Sequence, residues 1–173
     1  MIKSVGNSTT TPVDMISVED VRCVYTLLAE SVATRLREIG MAGRCINIHV
    51  RDTNLNVRAC QTTISHHTAL SGDITKAAMR LFIERDYARM LPLRSIGVSV
   101  SSLTDAQDPL QLDLFGDSLS RDRQLALAKA VDHIRTRFGT QVIRLGNVLA
   151  HPVFAAINPH DDHTIHPEQF YAG

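Results

Sequence analysis

The segment Gln111-Leu112-Asp113-Leu114-Phe115 combines apolar side chains with a hydrogen-bonding amide in a short stretch between Pro109 and Gly116. The flanking turn residues and nearby acids predict an exposed loop over residues 109–117 rather than a helix. A peptide of this kind binds a preformed groove, where the Leu and Phe side chains fill pockets and the Gln side chain fixes the register. The alternative is that Leu112, Leu114 and Phe115 pack onto the protein's own core.

A second pattern able to bind a ligand is the alternation of residues between Arg94 and Ser101. One side of this predicted strand is apolar, and the other carries only small residues: Ser95, Gly97, Ser99 and Ser101. Small side chains let backbone amides approach phosphate oxygens, so this side is a candidate nucleic-acid surface, to which three arginines can add charge: Arg51, Arg58 and Arg94. Contacts of this type position a duplex without reading its bases, and they weaken with salt. The alternative is that another element covers the small residues.

The sequence carries weaker signals for a metal site or a disulfide framework. The C-terminal stretch contains His160, His163 and His166 with two aspartates, but it lies between prolines and has no periodicity, which favours a tail without bound metal. A small metal-dependent enzyme built on these histidines remains an alternative. The three cysteines show no Cys-x-x-Cys spacing, which disfavours a disulfide framework or a zinc site: Cys23, Cys45 and Cys60.

The composition indicates one sizeable globular domain. The chain has 173 residues, 44% of them hydrophobic and 21% charged, with a net charge of zero. The sequence has neither a run of about 20 apolar residues nor a signal peptide, so we expect a cytoplasmic protein without a membrane partner. Between Arg51 and Ser101 there are seven basic and four acidic residues, whereas aspartates surround the 109–117 loop. The charge of the segment from Arg51 to Ser101 therefore favours binding to phosphate, and that of the 109–117 loop does not.

The periodicity predicts an α+β fold, with a four-stranded antiparallel sheet and helices packed on one face. A capping pair, Ser17 with Asp20, begins a helix that ends at Gly40. Residues 45–51 and about 56–64 read as a hairpin, residues 73–85 as a second helix, and residues 94–101 as a strand. A third helix ends at Gly139, residues 142–145 read as a short final strand, and residues 3–12 as an extended linker.

Several stretches, in this order, resemble the little-finger domain at the C-terminus of bacterial Y-family translesion DNA polymerases of the DNA polymerase IV type. Gln111 to Phe115 resembles the peptide by which bacterial polymerases dock on the β sliding clamp. Leu93 to Ser101 resembles the DNA-facing strand of that domain, and Lys3 to Asn7 resembles the linker that enters it. Residues 28–37 resemble its first helix, and residues 131–139 resemble the helix that follows the clamp peptide.

The resemblance implies a division into a linker at residues 1–16, a DNA-binding domain at 17–149 and a tail at 150–173. It implies clamp binding by Gln111, Leu112, Asp113, Leu114 and Phe115, and it adds DNA contacts at Lys3, Ser4 and Asn7. It implies a DNA-directed DNA polymerase whose catalytic core and Mg²⁺ lie upstream, so we expect no catalytic residue and no cofactor in this chain. The implied partners are damaged or primer-template duplex DNA and the β clamp, in DNA repair and the SOS response. A stand-alone α+β interaction or regulatory domain is the alternative.

Overall fold

The protein forms a four-stranded antiparallel sheet in the strand order β1-β4-β2-β3. The computed structural model describes residues 2–106 and 118–158, with the side chains of residues 118 and 119 excluded. The strands are β1 (Ser4–Met15), β2 (Met41–Asp52), β3 (Val57–Thr68) and β4 (Leu93–Asp105). The two central strands alternate apolar and polar residues, so one side of the sheet enters the core through Ile46, Ile48, Val50, Ile96, Val98 and Val100.

Two long helices cover the apolar side of the sheet. The first, α1 (Val18–Glu38), begins at the predicted capping box, in which Ser17 Oγ accepts from Asp20 N at 3.1 Å and the Asp20 carboxylate accepts from Ser17 N at 3.0 Å. The apolar stripe of α1 is buried, as is that of α2 (Ser71–Glu84), whereas Ile39 after the end of α1 is exposed. A 3₁₀ turn at Tyr87–Met90 leads into β4. The predicted α+β class, with helices on one face of the sheet, is confirmed.

The long helix α3 (Ser118–Phe138) is attached to α1 by two ion pairs, one near the end of α1 and one nearer its middle. The Arg37 guanidinium donates to the Asp132 carboxylate at 2.6 Å and 2.8 Å and to the Ala69 carbonyl at 2.6 Å. The Arg37 side chain is only 8% exposed and that of Asp132 18%. Arg135 pairs with Glu30 at 3.1 Å in a similarly enclosed position. Because Leu127 and Phe138 remain exposed, charge contributes much of what holds this helix in place.

Three expectations about the ends of the domain are wrong. The predicted linker at residues 3–12 is largely part of strand β1, in which Val5, Thr9 and Thr11 are buried. Residues 142–145 do not form a strand, and the fourth strand of the sheet is β1. The start of the predicted tail contains α5 (Pro152–Ala155), which follows α4 (Gly146–Leu149). Phe154 and Ile157 are buried in the core cluster, so the described domain extends beyond residue 149.

We predict that Asp132→Ala lowers the free energy of unfolding by about 3 kcal/mol, because it leaves the enclosed Arg37 guanidinium without its charge partner. Thermal or urea unfolding followed by circular dichroism measures the change. Glu84→Ala is the matched control, since it breaks the exposed Arg80–Glu84 pair at 3.8 Å and should cost under about 1 kcal/mol. Equal losses in the two variants would contradict the assignment of α3 docking to the Arg37–Asp132 pair.

Candidate nucleic-acid interface

The second side of the sheet is polar, and we call it the open face. Its residues are fixed by strand register, since directly paired residues of antiparallel strands project to the same side. Its four rows, each read from β1 through β4 and β2 to β3, are Ser4-Ser101-Cys45-Thr63, Gly6-Ser99-Asn47-Gln61, Ser8-Gly97-His49-Ala59 and Thr10-Ser95-Arg51-Val57.

The open face is accessible and carries no acidic residue among its sixteen positions. Ser4, Ser8 and Thr10 are exposed, and Ser95 and Ser99 are half-buried. Ser95, Ser99 and Ser101 are therefore not enclosed by another described element, whereas Gly97 is buried beneath the His49 ring of β2. Its one side chain with a permanent charge is the exposed guanidinium of Arg51. A surface of hydroxyls, glycine and one positive charge allows close approach of an anionic backbone.

Six of the predicted DNA-contacting residues lie together on the open face. They are Ser4, Arg51, Ser95, Gly97, Ser99 and Ser101. Lys3 is exposed and directly precedes β1. Arg94 is exposed and lies at a register shift between β2 and β4. Arg51 pairs with Ser95 and the next residue, Asp52, pairs with Leu93, so Arg94 has no paired residue in β2. The structure therefore brings most of the predicted contacts onto one surface, with Lys3 and Arg94 next to its paired residues.

Two predicted contacts, Asn7 and Arg58, do not join this surface. Asn7 is paired with Val98 and Arg58 with Val50, which are core residues on the helix side. Asn7 Nδ2 donates to Ser31 Oγ of α1 at 3.0 Å, so this side chain fastens β1 to the helix layer. The expectation that these residues share the surface of Ser95 to Ser101 is wrong, because the first residues were read as a linker and Arg58 was chosen for its charge alone. Successive residues of a strand face opposite sides of the sheet, and this alternation puts Asn7 and Arg58 on the helix side.

The sequence prediction missed the polar residues of β2 and β3 on the open face, namely Asn47, His49 and Gln61. The alternation of Asn47, His49 and Arg51 with apolar neighbours was visible in the sequence and could have identified two of them. Burial first, and then the nearby Arg51 charge, lower the pKa of His49. The imidazole is therefore neutral at neutral pH, where it can still donate one hydrogen bond.

The described residues hold other titratable groups in the core. Burial raises the pKa of the Cys23 thiol to about 11, with a further contribution from Asp20, so this cysteine stays protonated at neutral pH. Burial also raises the pKa of Tyr25, whose hydroxyl has no hydrogen-bond partner among the described residues. Within the same ranges no group of three or more His, Cys, Asp or Glu is arranged to hold a metal ion.

The predicted clamp peptide, with Gln111, Leu112, Asp113, Leu114 and Phe115, lies outside the described residues, and so does the histidine cluster at 160–166. The residues that flank the 107–117 segment are described. Ala106 N donates to the Gly40 carbonyl at 2.9 Å, and α3 begins at Ser118. The segment thus connects the end of β4 to the start of α3.

None of the described helices is long and apolar enough to cross a membrane.

We predict that Asn7→Ala lowers the free energy of unfolding by about 1–2 kcal/mol, because the buried Ser31 hydroxyl loses its hydrogen-bond donor. Duplex DNA affinity should stay unchanged, since Asn7 faces the helices. Ser8→Ala, one residue further along β1 on the open face, is the matched control and should leave stability nearly unchanged. Denaturation curves and fluorescence anisotropy with labelled duplex measure the two properties. Loss of affinity without loss of stability would place Asn7 in the interface instead.

Comparison with known proteins identifies related chains. The impB/mucB/samB family C-terminal domain matches residues 2–114. DNA polymerase IV of Acetivibrio thermocellus is 34% identical over 148 residues, which cover 86% of this chain and 37% of the relative. DNA polymerase IV of Moorella thermoacetica is 35% identical over 142 residues, covering 82% and 34%. This chain therefore spans little more than a third of the length of these relatives.

The fold also matches a solved structure. A chimera of the Y-family DNA polymerases Dbh and Dpo4 superposes with a TM-score of 0.51 and 17% sequence identity. The match covers 61% of this chain and 30% of the chimera. At this identity the likeness concerns the fold alone.

Proposed function

The chain belongs to the impB/mucB/samB C-terminal domain family and is a little-finger domain of the DNA polymerase IV type, and on this premise we propose that its open face holds the phosphate backbone of duplex DNA. The observation that carries the proposal is the register of the sheet. Register gathers small and hydroxyl-bearing residues, Arg51 and no acid on one accessible surface. The strong separation of the two faces leaves DNA one sheet surface with suitable chemistry.

The proposed contacts are non-specific with respect to base sequence. Small residues such as Ser95 and Ser99 permit close approach of the backbone, and serine hydroxyls can donate to phosphate oxygens. Arg51 contributes a charge-assisted contact from the row that also contains Ser95. Binding of this kind suits a domain that holds primer-template DNA whatever its sequence, including damaged DNA. Its affinity should fall steeply with salt.

We further propose that Gln111 to Phe115 binds a β sliding clamp. The support is the sequence of the peptide and the position of its flanks, since β4 ends at Asp105 and α3 begins at Ser118. The Ala106–Gly40 hydrogen bond ties one flank to the end of α1, and the Arg121–Asp73 pair at 3.4 Å holds the first turn of α3 near α2. The second flank therefore lies on the helix side, and the first lies at the end of the sheet, where α1 connects to β2. One domain can then contact DNA and clamp together, and each contact raises the effective concentration for the other.

We predict that Arg51→Ala weakens duplex binding and lowers the slope of log affinity against log salt by about one, because one phosphate contact is lost. A salt titration by fluorescence anisotropy measures both quantities. Arg58→Ala removes a nearby exposed arginine of the helix side and should have a clearly smaller effect. Equal losses in the two variants, or wild-type binding that is absent at low salt, would refute the proposed DNA surface.

We predict that the double substitution Leu114→Ala with Phe115→Ala abolishes binding to the β clamp in isothermal titration calorimetry, because the peptide loses two apolar anchors. The circular dichroism spectrum should not change. Leu127→Ala is the matched control, since Leu127 is 66% exposed on α3 and lies outside the peptide. Clamp affinity that survives the double substitution would rule out this peptide as the docking segment.

A further inference from the structure

His49 and Gly97 face each other in the third row of the open face. A Cβ atom built on Gly97 would lie 2.0 Å from His49 Cε1 and 2.7 Å from His49 Nε2. The imidazole therefore occupies the space that any other side chain at position 97 would fill. The same Cβ would lie 2.7 Å from Ser8 Cβ of β1. The ring thus reaches from β2 across β4 toward β1, instead of extending away from the sheet.

The ring nitrogens of His49 have no hydrogen-bond partner within residues 2–106 and 118–158. Neither nitrogen is among the fully enclosed unpaired atoms of that part of the chain, so both keep contact with solvent. A half-buried, oriented imidazole with unpaired nitrogens is a hydrogen-bonding group available to a ligand. Its position over a glycine restricts where the ring can lie, which reduces the entropy lost when a ligand binds.

The groups that face His49 are almost all neutral. Arg51, on its own strand, is the one charged neighbour on the open face. The flanking positions on the other strands carry small, aliphatic or amide side chains: Ser95, Gly97 and Ser99 of β4, Gly6, Ser8 and Thr10 of β1, and Val57, Ala59 and Gln61 of β3. A phosphate at this place would therefore meet no carboxylate.

We propose that His49, seated over Gly97, donates a hydrogen bond to a phosphate oxygen of the bound duplex in the middle of the open face. The inference rests on the proposed duplex-binding function and assigns a specific positioning residue within it. Gly97 provides the space for the ring, so at this position the imidazole and not the glycine backbone would meet the nucleic acid. Arg51 supplies constant charge beside the imidazole.

The contact should strengthen as the pH falls. In the free protein, burial and Arg51 lower the pKa of His49, so the ring is neutral at pH 7.5. A bound phosphate favours the imidazolium and raises that pKa in the complex. Between the two pKa values binding takes up a proton, so duplex affinity increases with acidification by linkage. Since the free pKa lies below the ordinary value of 6.5, the increase should appear mainly below about pH 7.

The test is fluorescence anisotropy of a rhodamine-labelled duplex with the full chain between pH 7.5 and 6.0, at constant ionic strength. His49→Ala should lower affinity roughly fivefold at pH 7.5, the size of one net hydrogen bond, and should abolish the additional gain at pH 6.0. Gly97→Ala should cause a similar loss by displacing the ring, and in the His49→Ala background it should cost little more. His133→Ala is the matched control, because His133 is exposed on α3. Thermal unfolding verifies that each variant is folded.

The outcomes separate this inference from the function on which it rests. If Arg51→Ala weakens binding while His49→Ala retains wild-type affinity and pH dependence, the role of His49 is refuted and the DNA surface stands. If His133→Ala removes the pH dependence, the proton uptake belongs to another histidine and the inference also fails. If the wild-type chain binds no duplex at low salt, both the function and the role of His49 are overturned.

Discussion

The rest of the domain depends on the alternation of apolar and small residues along β4. The apolar residues are Ile96, Val98 and Val100, and the small residues between them are Ser95, Gly97 and Ser99. The apolar residues must be covered, and α1 and α2 cover them from one side. The alternate positions contribute almost no volume, so the opposite side stays flat enough for other chains to approach. Because side chains repeat with period two, a shift of one residue in register would exchange the surfaces. The hydrophobic core therefore fixes which backbone groups face outward.

The helices are held in the domain by two different kinds of interaction. α1 and α2 bury apolar stripes, whereas α3 is attached through Arg37–Asp132 and Arg135–Glu30. Enclosed charge pairs add little net stability compared with apolar contacts, but they tolerate few alternative positions because a displaced partner leaves a charge desolvated. Arg37 also donates to Ala69 O in the connection between β3 and α2, so one guanidinium joins α1, α3 and this connection. Specific orientation of α3 is the main consequence of this arrangement.

Local sequence signals predicted much of this fold. The capping box at Ser17, the stop at Gly40 and the alternation in β2 and β4 are short-range patterns, and each was read correctly. Strand β1 was missed because Ser, Thr and Gly form a strand there through pairing with β4, which is distant in sequence. The misplacement of Asn7 has the same origin, whereas Arg58 lies in a predicted strand and was assigned by its charge without regard to the side of the sheet that it faces. The seat of His49 over Gly97 depends on register between strands and has no local signature.

The hydrogen bond between Ala106 N and Gly40 O has a mechanical consequence for a domain held at two places. Tension applied at Ala106 would enter β4 directly through the backbone, with the Ala106–Gly40 hydrogen bond as a second path to the end of α1, and tension applied at Ser118 would enter α3. On the α3 side, the two ion pairs Arg37–Asp132 and Arg135–Glu30 would pass the load to α1. The two ends of the segment are thus anchored by different interactions, one by the hydrogen bonds of a central strand and the other by enclosed charge pairs.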